Sequence, residues 1–205
     1  MMSFGRTPAA YAILIAFVVV STLGLKVAPG IIERNVLRPW HVVRDRQYST
    51  LITCGFVHAD FAHLFFNGLT LFFFGPPLER IMGTVRFLAL YFIGLVISSL
   101  GTVLKQRNNP DYASLGASGA ILSVLFAYIV YRPLDKIYLY FAIGIPAVLF
   151  AFGYLAYTWW ASKNARGRIN HDAHLDGALT GLIFVGLTDF DAWRHAFRMV
   201  GNAFG

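Results

Sequence analysis

The sequence predicts an all-α membrane protein, a bundle of six transmembrane helices, and three observations carry that prediction. Hydrophobic residues make up 57% of the 205 positions and charged residues 13%, against roughly a quarter charged in a soluble domain. The mean hydropathy is +0.60. Six apolar runs approach the ~20 residues that cross a bilayer. They are continuous, whereas the strands of a membrane barrel alternate, and in lipid every backbone group must bond within its own helix or a closed barrel.

The first run, 9–25, follows Arg6; no small-x-small cleavage site comes after it, so it reads as a retained anchor rather than a signal peptide. A long first loop, 26–60, mixes Trp40 and Tyr48 with Arg34, Arg38, Arg44 and Arg46, a composition suited to the membrane interface. The second run, 61–78, opens at Asp60, an N-cap acceptor for Ala62 or His63 N–H, and Gly75-Pro76-Pro77 should stop it. The third, 87–104, leads to a polar loop with an Asn109-Pro110-Asp111 turn. The fourth, 115–131, ends at Arg132-Pro133. The fifth, 137–161, contains Gly144 and Pro146, which predict a kink. A basic loop precedes the sixth, 172–188, and 189–205 reads as an amphipathic tail. No repeat or low-complexity tract interrupts this, so residues 1–205 are expected to form one membrane domain.

The net charge of +7 is spread among the apolar spans. That placement fits anionic lipid headgroups and excludes nucleic acid as a partner. The single Cys54 has no partner for an intramolecular disulfide. If the runs alternate direction, seven basic residues fall on the side of the N-terminus, among them Arg6 and Arg80. Ten fall on the other, among them Arg166 and Arg168. By charge alone the N-terminus lies outside.

The same alternation sends runs two, four and six in one direction. His63, Ser118 and His174 each stand near the start of one of them, and so at similar depth. An activated serine needs a base within hydrogen-bond reach. Gly119, Ser123 and Ala127 in run four, and Ala173, Gly177 and Gly181 in run six, recur every four residues and form narrow stripes that allow close approach. Taken locally, the stripes are also ordinary helix packing, and His174 is also a residue able to bond a carbonyl. His63 and Asn67 share a helix face. They are either donors aimed at an oxyanion, joined by the Ser118 backbone N–H at the positive end of its helix, or a pair that cross-links helices. His171-x-x-His174 has a spacing that Zn²⁺ accepts, yet no HExxH motif accompanies it. That leaves a metal as the weaker alternative; the expectation is no metal and no cofactor.

Together these residues resemble a known family. His63-Leu-Phe-Phe-Asn67, Gly116-Ala-Ser118-Gly119 and His174-Leu-Asp-Gly177-Ala-Leu-Thr-Gly181 resemble the HxxxN, GxSG and HxxGxxxG motifs of rhomboid intramembrane serine proteases, and Glu79-Arg80 followed by Gly83 is similar too. The resemblance spans all six runs in order. It implies Ser118 as nucleophile, His174 as base in a dyad without a carboxylate, and His63 and Asn67 in the oxyanion hole. His58 matches a further histidine near a water-filled cavity.

Two departures stand out. The position four after the serine, often a tyrosine that stacks on the base, is Leu122. The Trp-Arg pair common in the first loop is replaced by Trp40-His41 with Arg44 and Arg46 nearby. The resemblance implies cleavage of transmembrane substrates that enter sideways between the fifth and second spans. It also implies a cytoplasmic N-terminus, against the charge count, and a bacterial inner membrane as the setting. A catalytically silent relative that binds transmembrane helices is the alternative that Leu122 and the altered first loop raise.

Overall fold

The computed structural model describes residues 7–139, 142–164 and 169–205. Arg6, Arg166 and Arg168, counted above toward orientation, lie outside the described residues, as do positions 140 and 141 of the expected fifth helix. The protein is mostly helical. In chain order the elements are α1 (Pro8–Lys26), α2 (Gly30–Asn35), α3 (Pro39–Arg44), α4 (Thr50–Thr53), a 3-10 turn (Cys54–Phe56), α5 (Phe61–Met82), α6 (Thr84–Gln106), α7 (Ser118–Tyr131), β1 (Lys136–Leu139), β2 (Ile143–Pro146), α8 (Ala147–Asn164), α9 (His171–Thr188) and α10 (Phe190–Phe204). Among the described residues, α1, α5 and α6 are long and apolar enough to cross a membrane, and α7 is a shorter apolar helix.

The second helix corrects the expectation at its end. Asp60 caps α5 as anticipated, its carboxylate accepting the His63 N–H at 2.8 Å, but Gly75-Pro76-Pro77 do not stop it. The helix continues to Met82 and ends at Gly83, whose φ of 82° needs a residue without a Cβ. Each internal proline forfeits a hydrogen bond at a cost of about 3 kcal/mol. Packing offsets this, since Leu71, Gly75, Pro76, Leu78, Glu79 and Met82 are all buried. Glu79 fixes the final turn, its two oxygens accepting the Ala9 and Ala10 N–H groups at 3.1 and 2.8 Å and the Thr84 hydroxyl at 2.7 Å. These amides belong to the first turn of α1, where the helix leaves donors unpaired and its dipole favours an anion.

The fifth segment is the larger correction. It is not one kinked helix over 137–161 but an antiparallel hairpin followed by a helix. Lys136 pairs with Pro146, Ile137 with Ile145, Tyr138 with Gly144 and Leu139 with Ile143. Gly144 and Pro146 therefore belong to β2. A proline holds the residue before it extended, and β-branched Ile137, Ile143 and Ile145 favour strands. At Gly144 a side chain would press on the Tyr138 ring. The helix proper, α8, starts at Ala147, whose N–H donates to the Asp135 carbonyl at 2.8 Å.

Helix α7 is the centre of the bundle. It is apolar all round, and Val124, Phe126 and Ala127 are fully buried. It packs against α5, α6 and α9, and it starts at Ser118 rather than 115. In the first loop the Trp40 ring carries the Arg44 guanidinium 3.3 Å from its centroid. Leu37 and Ser114 exchange backbone hydrogen bonds at 2.9 Å each, which ties this loop to the segment leading into α7.

Candidate active site

Ser118 is the first residue of α7, so its backbone N–H is one of the donors a helix leaves free at its start. The turn before it requires glycine on two grounds. Gly116 has a φ of +109°, and a Cβ there would run into the His63 imidazole. The Gly116 N–H donates to the Cys54 carbonyl at 2.9 Å, which anchors the turn to the first loop.

His174 lies in the first turn of α9. Asn170 caps this helix, accepting the Ala173 N–H through Oδ1 at 3.1 Å and donating through Nδ2 to the hydroxyls of Thr102 at 2.8 Å and Ser114 at 3.4 Å. The cap thus ties the start of α9 to α6 and to the loop before Ser118. The His174 Nε2 lies 2.9 Å from the Ser118 Oγ, and its Nδ1 lies 3.1 Å from the Tyr154 hydroxyl on α8.

The two stripes of small residues make this approach possible. A Cβ on Gly177 would collide with the Gly119 carbonyl, and one on Gly181 with the Ser123 carbonyl. Gly119 itself faces both the Ala173 carbonyl and the Ser98 hydroxyl of α6. Backbones in contact at this distance hold Ser118 and His174 in register.

His63 stands in the first turn of α5 with its ring against Gly116 and edge-on to His58, centroids 5.0 Å apart. Asn67, one turn on, is buried and donates one N–H to the His63 carbonyl at 2.8 Å. The other amide N–H is left for a further acceptor. His58 is 0% exposed, and its ring contact is with His63 rather than with Ser118 or His174. The Ser21 hydroxyl donates to the Phe56 carbonyl at 3.0 Å, so the His58 Nδ1, 2.9 Å away, is the donor to Ser21. Burial, reinforced by the neighbouring His63, pushes His58 down to about 3, so it is neutral throughout the physiological range. Leu122 is buried and offers no polar atom. Among the described residues no group of three or more His, Cys, Asp or Glu side chains is arranged to hold a metal ion.

Sequence reasoning missed Tyr154, Asn170 and Ser98. A tyrosine with a threonine one turn further on, inside an apolar helix, was the available signal for Tyr154. Its meeting with His174 is a contact between helices that no local pattern encodes.

Residues 45–189 match the rhomboid domain family model. The rhomboid-family protein YdcA of Bacillus subtilis is 39% identical over 42% of this chain and 43% of its own length. The presenilin-associated rhomboid-like protein A of zebrafish mitochondria (Danio rerio) is 30% identical over 83% of this chain and 50% of its own. The mitochondrial rhomboid protein 1 of Saccharomyces cerevisiae is 31% identical over 70% and 44%. The chain spans half or less of the length of these relatives. The match runs from the first loop to the end of α9 and includes every residue of the Ser118 site, and on it the chain belongs to the rhomboid family.

Proposed function

We propose that this protein is an intramembrane serine endopeptidase acting through a Ser118–His174 dyad. The observation that carries the reading is the 2.9 Å hydrogen bond between Ser118 Oγ and His174 Nε2 at the start of a buried helix. Ser118 attacks the scissile carbonyl while its proton passes to Nε2. The imidazolium then returns that proton to the leaving amine, and water resolves the acyl-enzyme by the same steps. The oxyanion is met by the Ser118 backbone N–H, the His63 imidazole and the free N–H of Asn67. Removing one such donor typically costs ~10²–10³ in rate.

The reading takes α1, α5, α6, α7, α8 with its preceding hairpin, and α9 as six crossings. At 14 residues, α7 is roughly 21 Å long in a hydrocarbon core of about 30 Å. With Tyr131 at one face, Ser118 therefore lies about 9 Å beneath the other. Water reaches it through the polar surroundings of Asn170, Ser114 and Thr102. Substrates are transmembrane segments that enter laterally between α5 and α8, whose outer faces carry exposed Phe65, Phe66, Phe152 and Tyr157. A segment with helix-breaking residues unwinds there most easily. The N-terminus is cytoplasmic and the membrane is the bacterial inner membrane. No cofactor takes part.

The test is cleavage of a transmembrane reporter in proteoliposomes. Ser118→Ala and His174→Ala should abolish cleavage, and His63→Ala and Asn67→Ala should each reduce it about a hundredfold. Cleavage by Ser118→Ala at the parent rate would leave the protein as a relative that binds transmembrane helices without cutting them.

A further inference from the structure

We propose that Tyr154, supported by Thr158, is the positioning residue that holds the His174 ring in the tautomer and orientation needed to accept a proton from Ser118. The inference rests on the dyad reading above.

For Nε2 to accept the Ser118 proton it must carry a lone pair, so in the resting neutral ring the proton sits on Nδ1. An Nδ1–H in an apolar setting needs an acceptor, and the Tyr154 oxygen stands 3.1 Å away. Leu122, on α7, supplies none. The ring of His171, at 6.2 Å between centroids, stands edge-on to His174 and makes no hydrogen bond to it. Tyr154 is itself held. Its ring stacks on Phe150 at 5.6 Å and leans on Phe126 at 5.7 Å, so the phenol has little freedom to swing away.

With its oxygen accepting from Nδ1–H, the Tyr154 hydroxyl has one proton left to donate. Thr158 is four residues further along α8 and shares the face of Tyr154. The residue is 0% exposed and its hydroxyl closes no hydrogen bond within 3.5 Å, while the Tyr154 phenol stands near enough to interact with it. An orphaned buried hydroxyl beside a phenol that still needs an acceptor assigns one to the other. The order is Nδ1–H of His174 to the Tyr154 oxygen, and the Tyr154 O–H to the Thr158 oxygen. During the reaction the Ser118 proton moves to Nε2 and on to the leaving group. The Nδ1 proton stays on the ring and Tyr154 keeps its own. The alignment of the base therefore depends on α8 remaining docked against α9.

The experiment uses the full chain in detergent micelles, labelled with ¹⁵N-histidine, and the His174 signals are assigned by their loss in His174→Gln. The wild type should show His174 as the Nδ1–H tautomer with Nε2 unprotonated, and Tyr154→Phe should add the Nε2–H tautomer. Inactivation by a small fluorophosphonate should show a maximal rate about tenfold lower in Tyr154→Phe. The lowering in Thr158→Val should be about threefold, with the half-saturating concentration unchanged in both. Wild-type His174 found as the Nε2–H tautomer overturns the proposal without any variant. So do variants that react at the wild-type maximal rate, or that change only the half-saturating concentration. A wild type inert to the fluorophosphonate is a failure of the dyad reading instead, and the tautomer then still decides the role of Tyr154.

Discussion

The Cα of Gly177 on α9 lies against the carbonyl of Gly119 on α7, with no room for a methyl group between them. This backbone contact, one turn below His174 and one residue after Ser118, sets the separation of the two helices that carry Ser118 and His174. An added Cβ must push them apart, and overpacking of this kind typically costs 1–3 kcal/mol. A displacement of about 1 Å at reacting groups is worth about a hundredfold in rate. Gly177→Ala is thus expected to lower reporter cleavage at least tenfold while the protein stays folded. Parent-level activity in circular-dichroism-validated Gly177→Ala would show that the spacing is not set here.

Glu79 makes a separate prediction about stability. Its buried carboxylate bonds two amides of α1 and the Thr84 hydroxyl, joining the end of α5 to the starts of α1 and α6. In Glu79→Gln one acceptor oxygen becomes a donor facing another donor. Loss of charge-assisted bonds with an unpaired group left behind costs about 2–3 kcal/mol. Thermal unfolding in detergent should show a clear fall in midpoint, with α1 the first element to become accessible to protease.

Cys54 should be silent to thiol reagents. Its Sγ is buried 3.6 Å from the Ser99 hydroxyl, and burial pushes the thiol from 9.0 up to about 11. The folded value exceeds the unfolded one, so folding favours the protonated thiol. Stability is unaffected below pH 9 and declines as the pH rises from there toward 11. Maleimide at pH 8 should leave the folded protein unmodified and label one site per chain after unfolding. Labelling of the native protein would contradict the buried placement.

Much of the geometry of the candidate site was legible in the sequence because its parts obey local rules. Asp60 is a cap residue before an apolar run, His63 and Asn67 are one turn apart, and the glycines of α7 and α9 recur every four residues. These periodicities survive into the structure because helix geometry alone decides which residues share a face. The errors lie where local rules conflict with packing or fall silent. Pro76 and Pro77 are strong breakers, but the burial of Leu71, Leu78 and Glu79 holds α5 together around them. The run from Ile137 to Ile145 is apolar whether it is strand or helix, and hydrophobicity cannot separate the two in so short a stretch. Tyr154 reaches His174 across an interface between helices, information that exists only once the helices are packed.

The central claim is that Ser118 is a nucleophile activated by His174. The most direct measurement is intact-protein and peptide mass spectrometry after reaction with a fluorophosphonate in micelles. A single adduct on Ser118, absent in Ser118→Ala and strongly reduced in His174→Ala, is the expected result. No adduct on the folded wild-type protein, or one placed on a different residue, would contradict the claim.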